Sequence, residues 1–171
     1  MMKLRDKWIW GCTVVLILLG MSIAIYKSEK IVESGKLVLL ELAPVDPRSL
    51  MQGDYMDLRY RVSDTLFSFP QIVDRGYLIL DIDSQGVGHY VGFQLDAPMV
   101  SPNQCFIPYK RNSGQFSIGA EHFFFQEGHA SYYERAKYGG IRVAPSGESI
   151  LIGLYDESLS LIEPKDSTQI R

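Results

Sequence analysis

The sequence predicts a mainly β domain, a small barrel or sandwich of short antiparallel strands with one short α-helix, held behind one N-terminal transmembrane helix. Three observations predict it. Residues 8–26 of the 171-residue chain carry no charge. From residue 36 onward, short runs rich in β-branched and aromatic residues alternate with Gly, Pro, Asn and Ser turn chemistry. Of the two cysteines, Cys12 lies inside the apolar run and Cys105 outside it, so no disulfide within the domain is available. An apolar core must therefore hold the domain unaided.

The anchor comes first. At the helical rise, the uncharged run spans about 28 Å, close to the hydrocarbon thickness of a bilayer. A helix satisfies its own backbone polar groups, as an apolar solvent requires. Trp8, Trp10 and Tyr26 sit at its ends, where amphipathic rings favour the interface. A buried soluble helix would show a polar stripe, and this run has none. A cleavable signal peptide is the competing reading, with Ser22 and Ala24 as small residues near a cleavage point. The length of the run and its aromatic ends favour retention. Lys3, Arg5 and Lys7 precede the run, and Lys27 and Lys30 follow it. That bias puts the N-terminus in the cytoplasm and the rest in the periplasm. The expected organisation is residues 1–30 as stub and anchor, 31–162 as the β-rich domain, and 163–171 as a polar tail.

Within the domain, residues 36–43 form a strongly apolar strand that ends at Pro44 and Pro47. In residues 54–62, Met56, Leu58, Tyr60 and Val62 alternate with Tyr55, Asp57, Arg59 and Arg61, which predicts a strand with one wet face. Residues 63–75 are less regular and suit a short helix or a lid-like loop. Residues 76–83 and 87–95 predict a hairpin, and 105–109, 115–118 and 121–125 predict three short strands, with 110–114 as a turn. The one credible helix covers residues 129–138, with Gly139 and Gly140 as its stop. Residues 141–144 and 149–154 make a last hairpin.

The most distinctive string runs from Pro44 to Tyr60, with Gly53, Asp54, Tyr55, Leu58 and Tyr60 at its core. It resembles the motif of the GDYxxLxY family and fills every fixed position. The proline-containing approach to Gly53 also resembles that family, as does the later aromatic strand running into Glu127 and Gly128. The resemblance implies a bacterial membrane-anchored protein encoded beside multi-spanning membrane proteins. It therefore implies a multi-spanning inner-membrane protein as partner, and it carries no catalytic residue over. The local physics is separate. Gly53 permits a sharp turn, Asp54 is placed to close it through backbone amides, and Leu58 and Tyr60 share the inward face, with Tyr55 on the other. Residues 49–54 also echo a loop of type I signal peptidases. Counting by that spacing puts Val45 at the nucleophile position, and no lysine follows until Lys110, so a Ser/Lys mechanism is not supported.

Composition narrows the remaining classes. Residues 31–171 hold 12 Lys and Arg against 18 Asp and Glu, a net charge of −6, with no basic track for nucleic acid. His89, His122 and His129 show no short metal-ligand spacing, so neither a metal nor another cofactor is expected. Asp54, Tyr55, Arg59 and Glu127 are the candidate contact or functional residues. Glu127 is placed to accept from first-turn amides of the predicted helix, or to meet Asp54 as an acid/base pair. Phe123, Phe124 and Phe125 cannot all point inward from one strand. The favoured expectation is a non-enzymatic accessory or binding subunit of the membrane protein. An envelope hydrolase using Asp54 and Glu127, and a periplasmic small-ligand sensor, are the alternatives.

Overall fold

In the computed structural model, residues 4–43, 51–52, 55–66, 69, 72–112 and 114–164 are described. Helix α1 (Leu4–Ser34) is 31 residues long. It is long and apolar enough to cross a membrane, and its most apolar stretch buries nothing against the domain. The helix continues past residue 30, and Ile31 is already buried beneath the domain. Only Gly35 separates α1 from the first strand.

Ten strands follow. They are β1 (Lys36–Glu41), β2 (Met51–Gln52), β3 (Tyr55–Asp57), β4 (Arg75–Ile82), β5 (Gly88–Gln94), β6 (Gln104–Asn112), β7 (Gln115–Ser117), β8 (His122–Phe124), β9 (Tyr138–Val143) and β10 (Ser149–Tyr155). Among the described residues, two short helices interrupt them, α2 (Arg61–Leu66) and α3 (Ala130–Tyr133). Three antiparallel sheets result, ordered β1-β9-β10, β2-β3-β8 and β5-β4-β6-β7. Val38, Leu40 and Ile141 from the first, Met56 from the second, and Leu78, Leu80 and Ile107 from the third meet in one core. A parallel bridge between Leu39 and Val87 joins the first and third sheets.

The two long hairpins fall where the sequence places them. β4 pairs with β5 from Tyr77↔Gln94 to Ile82↔Gly88, and β9 pairs with β10 from Val143↔Ser149 to Tyr138↔Tyr155. Three expectations need correction. The first is the strand over residues 54–62, whose ladder covers only Tyr55–Asp57. The burial alternation nevertheless persists, with Met56, Leu58 and Tyr60 buried and Asp57 and Arg59 outward. It ends at Tyr60, where the Ser63 amide donates to the Tyr60 carbonyl and the period changes to that of α2. There Ser63 and Leu66 are the buried pair, three residues apart.

The second correction is the helix over residues 129–138, which shrinks to α3. Gly139 and Gly140 do not stop a helix. They lie inside β9, opposite Leu40 and Leu39. A Cβ on Gly139 would sit 2.8 Å from the Tyr60 hydroxyl, and one on Gly140 would collide with the Tyr155 ring. The pair is small so that two aromatic rings can pack against the strand. The third correction is the turn at residues 110–114, because β6 runs through to Asn112 and pairs with β7 at Lys110↔Ser117.

Candidate functional site

The motif supplies one face of sheet β2-β3-β8 and the pins that hold it. Gly53 and Asp54, and with them the proposed Asp54–Glu127 pair, lie outside the described residues. Tyr55 opens β3 opposite Phe124, and Asp57 lies opposite His122. Directly paired residues on antiparallel strands project to the same side of the sheet. The outer face therefore carries Tyr55 against Phe124, with ring centroids 6.0 Å apart. Beside them, His122 Nδ1 lies 2.6 Å from Asp57 Oδ1. Phe124 is 74% exposed, an unusual position for a phenylalanine on a regular strand.

The Phe triplet is split by the strand pleat. Phe123 and Phe125 turn inward onto Tyr133 of α3, at 4.9 and 5.5 Å between centroids, and Phe124 alone points outward. Of the described residues between 66 and 73, Leu66 and Ile72 are buried and Phe69 and Val73 are exposed, with Phe69 against Tyr90 and Phe93.

Leu58 and Tyr60 dock onto a segment the sequence reading did not connect with the motif. The Leu58 amide donates to the Glu121 carbonyl at 2.6 Å, and the Tyr60 hydroxyl donates to the Ala120 carbonyl at 2.7 Å. Glu121 itself closes the turn between β7 and β8. Its carboxylate accepts from the Ile118 amide at 2.5 Å, the Gly119 amide at 3.1 Å and the Ser117 hydroxyl at 3.0 Å. Gly119 adopts φ +82, which the turn requires. Burial pushes the Tyr60 hydroxyl pKa well above its ordinary value, and the nearby Glu121 charge adds to the rise. The one sequence-level signal for this partnership was the Ser117-x-Gly119-x-Glu121 spacing, a turn with a carboxylate placed to cap it.

The other candidates are placed as follows. Arg59 points outward but binds Asp64 of α2, Nη2 to Oδ1 at 2.6 Å, an exposed pair of small energetic weight. Glu127 is exposed and, among the described residues, hydrogen-bonds to nothing; α3 begins after His129 with no side-chain cap. The histidines are dispersed. His122 is with Asp57, His129 lies edge-on to Tyr132, and His89 binds Asp83 at 3.0 Å in the β4–β5 turn. Among the described residues, no three His, Cys, Asp or Glu side chains converge as a metal site would require. An apolar groove does exist, far from this face. It runs along α1 on Trp8, Gly11, Cys12, Val15, Leu16 and Leu19, a spacing that marks one side of a helix.

The arrangement suits contact better than chemistry. An imidazole held by a carboxylate is oriented for proton transfer, but both members are more than half exposed on an open sheet face. Next to them lie two aromatic rings of the kind enriched at protein interfaces. No curated protein and no solved structure matches the chain. The model of one family, described as GDYXXLXY protein, matches residues 15–154. That span takes in the apolar run from Val15 onward and the domain through nearly all of β10, so the chain belongs to the GDYXXLXY family.

Proposed function

We propose that this chain is a single-pass protein of the bacterial inner membrane, with its N-terminus in the cytoplasm and its domain in the periplasm. There it serves as a non-enzymatic accessory subunit of a multi-spanning membrane protein. The observation that carries the reading is the outward Tyr55–Phe124 pair on a sheet whose other face is fixed in the core. An exposed phenylalanine ring, here Phe124 beside the half-buried Tyr55, lowers its free energy when a second surface covers it. Two features support the membrane setting. α1 leaves its apolar stretch uncovered, and the basic residues before the span outnumber those after it. The groove on α1 offers a helix face of matching character within the bilayer.

The test is purification of the tagged full-length protein from native membranes in mild detergent. A stoichiometric multi-spanning partner is expected, and Phe124→Ser with Tyr55→Ser should remove it while the domain stays folded. A monodisperse monomer with no companion would overturn the reading.

A further inference from the structure

The apolar run of α1 ends at Tyr26, because Lys27, Glu29, Lys30 and Glu33 follow within two turns. Charged groups are costly within hydrocarbon, so the boundary of the lipid core falls at Lys27, although the helix itself runs to Ser34. The remaining eight residues rise about 12 Å. That is enough to cross a headgroup layer of roughly 5–7 Å on each side of the bilayer. The domain does not sit on top of this stub. It grips the side of it.

Lys27, Ile31 and Gly35 repeat every four residues and so share one helix face. Lys27 Nζ lies 2.5 Å from Glu148 Oε1, Ile31 is buried, and the Gly35 carbonyl accepts from Arg142 Nη1 at 2.8 Å. Glu148 and Arg142 flank the β9–β10 turn at residues 144–148, which the Ala144 amide closes onto the Glu148 carbonyl at 2.8 Å. With Gly35 as the only residue between helix and sheet, no linker is available to lift this turn away.

We propose that the β9–β10 turn is a membrane-contact element that rests on the phospholipid headgroup layer beside the anchor. Glu148 takes the ammonium that would otherwise reach up alone to the lipid phosphates, and exposed Pro145 and Ser146 face the headgroups. The anchor and sheet β1-β9-β10 then move as one body, so a tilt or rotation of α1 reaches the domain undiminished. The proposal rests on α1 being a membrane span.

The test uses the full-length chain with Cys12→Ser, reconstituted in vesicles of phosphatidylcholine and phosphatidylglycerol that carry a headgroup nitroxide. A fluorophore is placed at Ser146→Cys or, as control, at Glu157→Cys. The control is exposed and lies beyond the other end of β10, about 20 Å along the strand. Quenching at residue 146 is expected to exceed that at 157 several-fold, and adding Glu148→Gln is expected to shrink the difference. Equal quenching at both positions, in protein that stays with the vesicles through an alkaline carbonate wash, would overturn the membrane contact alone. Release of the protein by that wash would overturn the span reading and this inference together.

Discussion

Sheets β1-β9-β10 and β2-β3-β8 each have three strands, yet they use aromatic residues in opposite ways. In the first, glycine removes side chains so that rings can be enclosed. Gly139 receives the Tyr60 ring and Gly140 the Tyr155 ring, and every step of β1 from Lys36 to Glu41 is paired. In the second, the ladder is only three residues long, and it turns Tyr55 and Phe124 outward. The first sheet is joined to α1, and the second turns Phe124 to solvent. The difference teaches that the described motif residues do not share one structural setting. Tyr60 belongs to the enclosed sheet's packing and Tyr55 to the open face, five residues apart in the chain.

Replacing each ring in turn is the most direct way to break that comparison. Tyr60 is fully buried, and Tyr60→Ala is expected to cost about 3–5 kcal/mol through the cavity and the stranded Ala120 carbonyl. Phe124→Ala, on the exposed side, is expected to change stability by less than about 0.5 kcal/mol. Denaturant unfolding of the full-length protein in detergent reads both values. Similar losses from the two substitutions would show that the sheets are not divided in this way.

A smaller effect sharpens the role of the Tyr60 hydroxyl. Its folded pKa is raised, so the stability it contributes is present below the unfolded value of about 10 and is lost as pH climbs above it. The unfolded chain releases that proton at high pH while the folded chain keeps it. Tyr60→Phe, besides its own modest loss at neutral pH, is expected to flatten the fall in stability between pH 9 and pH 11, roughly the range around that unfolded value. Tyr90, Tyr109 and Tyr133 are also pushed up by burial, so the slope should lessen rather than vanish. An unchanged slope in Tyr60→Phe would place the alkaline sensitivity in those other rings.

Much of the fold was legible because local pattern and tertiary context agree in the hairpins. Residues 76–95 and 141–154 read as paired strands with turn chemistry between them, and they are. The long apolar helix was legible for a different reason, since nineteen consecutive uncharged residues favour one unbroken apolar helix. The misreadings share one cause. Residues 55–60 alternate correctly in burial, but the ladder stops after Asp57: Leu58 and the Tyr60 hydroxyl bond the 117–121 turn, more than fifty residues away, and for strand pairing the Tyr60 backbone keeps only an isolated bridge to Leu42. Gly139 and Gly140 imitate a helix stop locally, and only the rings of Tyr60 and Tyr155 explain them. In the candidate site, Tyr55 was rightly placed on the face opposite Tyr60, whereas the Asp57–His122 pair was missed. No local rule links an aspartate and a histidine 65 positions apart. A strand register is needed to bring them together, and one sequence does not reveal it.

The smallest expected effect concerns the joint between anchor and enclosed sheet. Lys27 holds the Glu148 carboxyl below the ordinary carboxylate range, chiefly through their hydrogen bond, with Ser146 contributing less. A depressed folded pKa means that the contribution is present above the unfolded value of about 4.3 and is lost as pH falls through the lower folded one. Both partners are substantially exposed, so global unfolding should scarcely register the pair. Its effect should appear in orientation instead. With spin labels on α1 at Glu29→Cys and on β10 at Ser149→Cys, in a Cys12→Ser chain, the distance distribution should be narrow at pH 7. It should broaden both at acid pH and in Glu148→Gln at neutral pH. If Glu148→Gln stays narrow at pH 7, the ion pair is not the clamp. The rigid mounting would then rest on buried Ile31 and the Arg142–Gly35 bond.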